Sequence, residues 1–218
     1  MNVRKLAYAV MSGSLATGAV LLTAGTASAA SCGAPIAAGS NCTLTGTVNL
    51  TGGALTLTAP SSLTWTGTLN GLNQSVYDTT GGDEQYTVND ATGTGAGWHV
   101  TVAATTFTNG TKTFPDAGTF TTNGSTTSVT STNAPTATCT ATCILPTNTT
   151  TYPVAVTTAV TAPTPVTIYD TAAASGLGQV VVGGSTNPNP VGWWVNVPAS
   201  ASAGAYTSTI TMAIISGP

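Results

Sequence analysis

Apolar residues between positions 43 and 65 fall on alternate places: Leu44, Val48 and Leu50, then Leu55 and Leu57, then Leu63 and Trp65. Gly52-Gly53 and Pro60-Ser61 interrupt them. A period of two puts successive side chains on opposite faces, so this stretch predicts three short strands joined by tight turns. Residues 74–78 and 85–90 alternate on either side of Gly81-Gly82, as a hairpin or a strand–loop–strand would. A strand is predicted from Trp98 to Ala103. Residues 105–135, rich in Thr, Asn and Gly around Phe107, Phe114 and Phe120, predict irregular strands and long loops. Residues 154–160, 166–169 and 178–182 read as further strands. The clearest comes last: Tyr206, Ser208, Ile210, Met212 and Ile214 share one face, and Thr207, Thr209, Thr211 and Ala213 the other. Beyond the first thirty residues no long stretch keeps a 3.6-residue period, so the chain is expected to be all-β.

One pattern occurs twice. Gly97-Trp98-His99-Val100-Thr101-Val102 returns as Gly192-Trp193-Trp194-Val195-Asn196-Val197. In each copy the first Trp shares a strand face with the two Val residues. Large aromatics on an alternating face usually pack, so Trp98 and Trp193 are core candidates beside Val100 and Val195. Trp194 points the other way and precedes the polar Asn196. It is the candidate for an exposed platform on which a sugar ring could stack, with His99 at the equivalent place in the first copy.

Composition fixes the compartment. Arg4 and Lys5 precede an interrupted apolar run, and Ala27-Ser28-Ala29 makes a cleavage site. Residues 1–29 therefore read as a secretory signal peptide, leaving 30–218 as the mature domain. Lys112 then stands alone against Asp78, Asp83, Glu84, Asp90, Asp116 and Asp170, a net charge of −5. Without a basic patch, nucleic acid and anionic lipid are poor partners. Neutral glycans remain open, because hydrogen bonds and aromatic stacking carry their recognition. Thr supplies 48 of the 218 residues, and its branched side chain favours strands over helix interiors. Four cysteines in an exported chain read as disulfides, for which three connectivities exist. Nearness in sequence favours Cys32–Cys42 and Cys139–Cys143. A metal site at Cys139 and Cys143 is the sharper alternative, but no His lies near.

The residues also carry a resemblance. Asn89-Asp90-Ala91-Thr92-Gly93-Thr94-Gly95-Ala96-Gly97-Trp98-His99-Val100 resembles the first motif of the WxL-domain surface proteins of Gram-positive bacteria. Trp193-Trp194-Val195-Asn196-Val197-Pro198 with Ala203-Gly204-Ala205-Tyr206-Thr207 resembles the second motif and closing strand. The likeness is to a divergent relative: Val100 and Val195 stand where the family has Leu, and the cysteines and the insertion around 136–146 depart from it. The resemblance implies non-covalent attachment to the cell wall with peptidoglycan as ligand, and association with companion surface proteins. Carried over by position, it makes Trp98, Val100, Trp193 and Val195 motif residues.

Other chemistries fit less well. His99 is the only histidine, and a triad with Asp90 would lack a nucleophile elbow. The acidic group Asp78, Asp83, Glu84 and Asp90 could serve glycoside hydrolysis or hold Ca²⁺, but its spacing matches no EF-hand and solvated loop carboxylates explain it. Asp90 reads as a turn former. Leu145-Pro146-Thr147-Asn148-Thr149 is similar to a sortase signal, but it lacks the Gly and is not terminal. A Thr-ladder ice-binding surface would need a strict short repeat, which is missing. The reading is an Ig-like or Greek-key β-sandwich with loop-rich insertions and no cofactor. It is expected to be a non-enzymatic surface protein that binds the wall or docks on other surface proteins, with Trp98, Val100, Trp193, Trp194 and Val195 as ligand-binding candidates. The alternative is a self-associating structural protein or adhesin whose edge strands pair with neighbours.

Overall fold

A computed structural model describes residues 30–33 and 35–218. The predicted signal peptide, residues 1–29, lies outside them. The chain divides into two compact units, Met1–Asn49 and Leu50–Pro218. All regular structure among the described residues is β, and no helix occurs there.

In the first unit, β1 (Ala30–Ser31) and β2 (Cys42–Thr43) pair in parallel, and the Cys32–Cys42 disulfide closes the loop between them. The second unit holds β3 (Leu55–Thr58), β4 (Gln74–Tyr77), β5 (Gln85–Asp90), β6 (Trp98–Ala104), β7 (Thr108–Asn109), β8 (Lys112–Thr113) and β9 (Phe120–Asn123). It continues with β10 (Ala137–Cys139), β11 (Val154–Val156), β12 (Val166–Thr171), β13 (Gly178–Gly183), β14 (Gly192–Val197) and β15 (Ile210–Ser216). Every ladder in this unit is antiparallel. The three larger sheets run β10-β13-β5-β3, β11-β9-β14-β4 and β12-β6-β15, and β7-β8 is a small hairpin. Both predicted disulfides form; Cys139–Cys143 ties the end of β10 to the following loop.

The three sheets share one apolar core. Tyr86 and Val88 come from β5, Val180 and Val182 from β13, Trp98, Val100 and Val102 from β6, and Phe120, Trp193 and Val195 from β9 and β14. Aromatic rings knit the layers: Trp193 stacks on Phe120 at 6.0 Å, and Trp65 meets Phe107 and Phe120 edge-on at 5.7 and 5.8 Å. The alternation of the last strand is realised, with Ile210, Met212 and Ile214 partly buried and Thr211 and Ala213 exposed. Its ladder starts only at Ile210; residues 206–209 attach through a bridge between Thr108 and Thr207 and the bond from the Thr105 N–H to the Thr209 carbonyl.

One predicted local arrangement is corrected, and at Gly81-Gly82 the loop is found and not the hairpin. The three strands expected within 43–65 reduce, after Thr43, to β3. Leu44, Val48 and Leu50 stand 78, 79 and 90% exposed with no ladder partner, while Leu63 and Trp65 pack on the core from an irregular segment. Pro60 removes a ladder donor there, and the Thr64 N–H is held by the Asp78 carboxylate at 2.7 Å instead of by a neighbouring strand. The strands flanking Gly81-Gly82 form but do not pair with each other. β4 pairs with β14, whereas β5 lies between β13 and β3. The connection begins with Asp78, whose other oxygen accepts from the Thr80 N–H at 2.8 Å, and continues with a turn from the Asp83 N–H to the Thr80 carbonyl. This side-chain turn directs the chain from one sheet to another.

Candidate functional site

The two tryptophan motifs occupy central strands of two sheets. β6 lies between β12 and β15, and β14 between β9 and β4. Each motif needs its leading glycine. Gly97 has φ +78°, and a Cβ there would lie 2.5 Å from the Thr171 carbonyl oxygen. At Gly192 a Cβ would overlap the Ser125 carbonyl. The glycines let neighbouring backbone close over the rings that follow them.

All five candidate ligand-binding side chains are buried. Trp98 is wholly enclosed, stacks on Tyr169 at 5.8 Å and donates its indole N–H to the Gly176 carbonyl at 2.9 Å. Trp193 donates to the Asp83 carbonyl at 2.8 Å, and its own carbonyl accepts from the Trp65 indole at 3.0 Å. Val100 lies opposite Tyr169 and Ile214, and Val195 opposite Val76 and Phe120. The five residues sit in two sheets and form no common surface.

Trp194 departs from its predicted role. Its side chain points away from Trp193, yet it is only 4% exposed. The loop after β9 covers it. Asn123 organises that loop, donating to the Ser128 and Val129 carbonyls at 2.9 Å each and accepting from the Ser125 N–H at 3.0 Å. The Trp194 indole N–H then bonds the Ser125 carbonyl at 3.0 Å and the Asn123 side-chain oxygen at 3.3 Å, and its ring tilts against Tyr77 at 5.3 Å. The signal for this cover was Asn123-Gly124-Ser125 directly after the Phe120 strand, a turn-forming triplet.

The acidic group forms no metal-ligand cluster among the described residues. Asp78 is 2% exposed and clamps two backbone N–H groups, so it is an internal tie and not the solvated carboxylate expected. Asp90 accepts from the Thr92 N–H and hydroxyl, as a turn former should. Burial, and next the Asp78 charge, raise the Asp83 and Glu84 carboxyls above their ordinary range. Among the described residues no group of three or more His, Cys, Asp or Glu gathers as metal ligands would. Three buried tyrosines line the interior beside Trp98. Burial raises the hydroxyl of Tyr86 far above its usual range and lifts Tyr152 and Tyr169 with it. Tyr152 donates to the Ile168 carbonyl at 2.7 Å.

A polar depression of about 320 Å³ opens beside the first motif, lined by His99, Thr149, Thr150, Thr167, Asp170 and Pro218. His99 and Asp170 are cross-strand partners on β6 and β12. The His99 Nδ1 lies 2.7 Å from the Gly217 carbonyl; a carbonyl only accepts, so Nδ1 carries a proton there. One Asp170 oxygen accepts from the Thr149 hydroxyl at 2.7 Å. The other, Oδ1, is shielded from solvent and has no partner among the described residues, and the Thr150 hydroxyl shares that condition. A carboxylate oxygen in that state is a buried acceptor without a donor, which costs stability. Sequence reasoning had singled out His99 but not Asp170, which lies 71 residues away and meets it only through the β6–β12 ladder. Comparison with protein-family models, with curated proteins and with solved structures finds no match for this chain.

Proposed function

We propose that this chain is an exported, non-catalytic surface protein that associates non-covalently with the bacterial cell wall. Its ligand is peptidoglycan or another wall glycan, and it can dock on companion surface proteins. Its architecture is read as an Ig-like or Greek-key β-sandwich of the WxL-like kind. Antiparallel sheets around a common core support that reading, as does the passage of the chain from β4 to β5 in a different sheet. Two disulfides and a near-absence of charge favour an extracytoplasmic setting and a neutral ligand.

The motif tryptophans are the scaffold in this reading, and recognition falls to the depression beside the first motif. The observation that carries it is the convergence of Asp170, Thr149, Thr150, Thr167 and His99 on one depression beside the first motif. Sugar hydroxyls both donate and accept, so a carboxylate, hydroxyls and an imidazole can bond them in several directions at once. The test is co-sedimentation of the exported chain with purified peptidoglycan, beside Asp170→Asn, which keeps the shape and removes the charge. Saturable binding weakened about tenfold or more in the variant is expected, the scale of one charge-assisted hydrogen bond. Failure of the wild type to sediment would refute wall recognition. Equal binding by both forms would remove the site from the depression.

A further inference from the structure

We propose that the chain assembles head to tail, residues 43–50 of one copy adding as a strand into an apolar groove of the next. This goes beyond wall binding and does not depend on it.

The groove belongs to the second unit and has a volume of about 1030 Å³. Leu63, Trp65, Val76, Tyr206, Ile210 and Met212 give it an apolar lining, and no charged side chain borders it. Val76 lies on β4 and Ile210 and Met212 on β15, each the outer strand of its sheet with one ladder partner. The groove is thus a gap flanked by two sheet edges, where core side chains of both sheets remain partly exposed. Among the described residues its border from 61 to 67 makes no backbone–backbone hydrogen bond; apart from the Thr64 N–H, which the Asp78 carboxylate holds, its main chain is without a strand partner.

The same chain carries a segment with the complementary features. In Thr43-Leu44-Thr45-Gly46-Thr47-Val48-Asn49-Leu50 the even positions are Leu, Gly, Val and Leu, and the odd ones Thr, Thr, Thr and Asn. That is the alternation of a half-buried strand, yet its apolar side chains are exposed and, beyond Thr43, it has no ladder partner. It is as free of charge as the groove. Seven residues from Leu44 to Leu50 would span about 20 Å as a strand, an ordinary length. The chain leaving it is pinned at once, the Gly53 N–H bonding the Ala91 carbonyl at 2.7 Å, at the entrance to β3. The groove is lined by residues 59 to 212, all of the second unit, and the proposed donor is a second copy. Donor and acceptor are different surfaces, so the contact is heterologous and propagates into open chains or closes into rings.

Sedimentation velocity over a rising concentration series tests this, with wild type, Val48→Asp, and wild type plus a peptide of residues 43–50. The side chain of Val48 is exposed, so the substitution leaves the folded core intact. The wild type should form concentration-dependent oligomers. Val48→Asp should raise the apparent dissociation constant at least about tenfold, because a carboxylate entering an apolar groove must shed its hydration. The free peptide should cap the groove and return the wild type to monomers. A wild type that stays monomeric at every concentration overturns the proposal, as do oligomers that survive both the substitution and the peptide. Peptidoglycan is absent from the assay, so its outcome is separate from that of wall binding.

Discussion

Replacing Trp194 by Ala distinguishes a buried scaffold from an exposed platform. At 4% exposure the indole hides nearly its whole surface. An aromatic of this kind buries roughly 150–250 Å², worth about 4–6 kcal/mol at 25 cal/mol per Å², an upper bound because unfolded chains are themselves partly compact. Truncation also strips the Asn123 side-chain oxygen and the Ser125 carbonyl of an indole donor and removes the ring facing Tyr77. The covering loop can relax inward and recover part of this, so a loss of about 3–5 kcal/mol is expected, in the range of buried Trp truncations. Urea denaturation with both disulfides intact measures it, and an unchanged m-value keeps the comparison sound. A loss within about 0.5 kcal/mol, the scale of surface substitutions, would refute the burial argument. A stable variant that no longer bound peptidoglycan would restore Trp194 as the platform.

The buried tyrosines predict alkaline sensitivity. Tyr86, Tyr152 and Tyr169 have hydroxyl pKa values raised by burial, so above about pH 10 the unfolded chain releases protons that the folded chain retains. Stability is therefore complete below pH 10 and falls above it, by about 4 kcal/mol per pH unit for three such groups. Loss of the folded near-UV signal should accompany ionisation of these three; a chain that stays folded with all of its tyrosines ionised would contradict this. Asp78→Ala leaves the Thr64 and Thr80 N–H groups without their carboxylate and should cost about 2–4 kcal/mol in chemical denaturation, against no effect if the carboxylate were solvated. Gly97→Ala and Gly118→Ala meet the same φ of +78°, but only Gly97 faces a carbonyl, that of Thr171, at 2.5 Å. Both should lose about 1–2 kcal/mol to backbone strain, and Gly97→Ala clearly more; equal losses would argue against close approach at the first motif.

What the sequence made legible was mostly local. Alternation located the strands around Val76, Val88, Trp98, Val180, Trp193 and Met212, because period-two patterning reports one buried face and does not depend on the partner. Nearness in sequence sufficed for Cys32–Cys42 and Cys139–Cys143. Partner choice was not legible. Gly81-Gly82 fits a hairpin or a longer loop equally well in isolation, and the connection that begins at Asp78 carries the chain from β4 to β5 in a different sheet. The alternation of Leu44, Val48 and Leu50 met its rule without forming a strand, since a strand needs an edge to pair with. Trp194 was misplaced for a related reason. Strand parity gives the side a residue faces, whereas burial on that side is decided by the Asn123–Ser125 loop, about seventy residues earlier. The depression at His99 was half visible, its Asp170 partner appearing only once β12 is laid against β6.

The central claim is that a wall glycan is held beside the first motif while the tryptophans of the second stay a buried scaffold. NMR titration of the labelled chain of residues 30–218 with soluble peptidoglycan fragments tests it residue by residue. The account predicts saturable shifts at His99, Thr149, Thr150 and Asp170, with the Trp193 and Trp194 indole N–H signals unmoved. No shifts at saturating fragment, or shifts centred on the Trp194 indole, would contradict it.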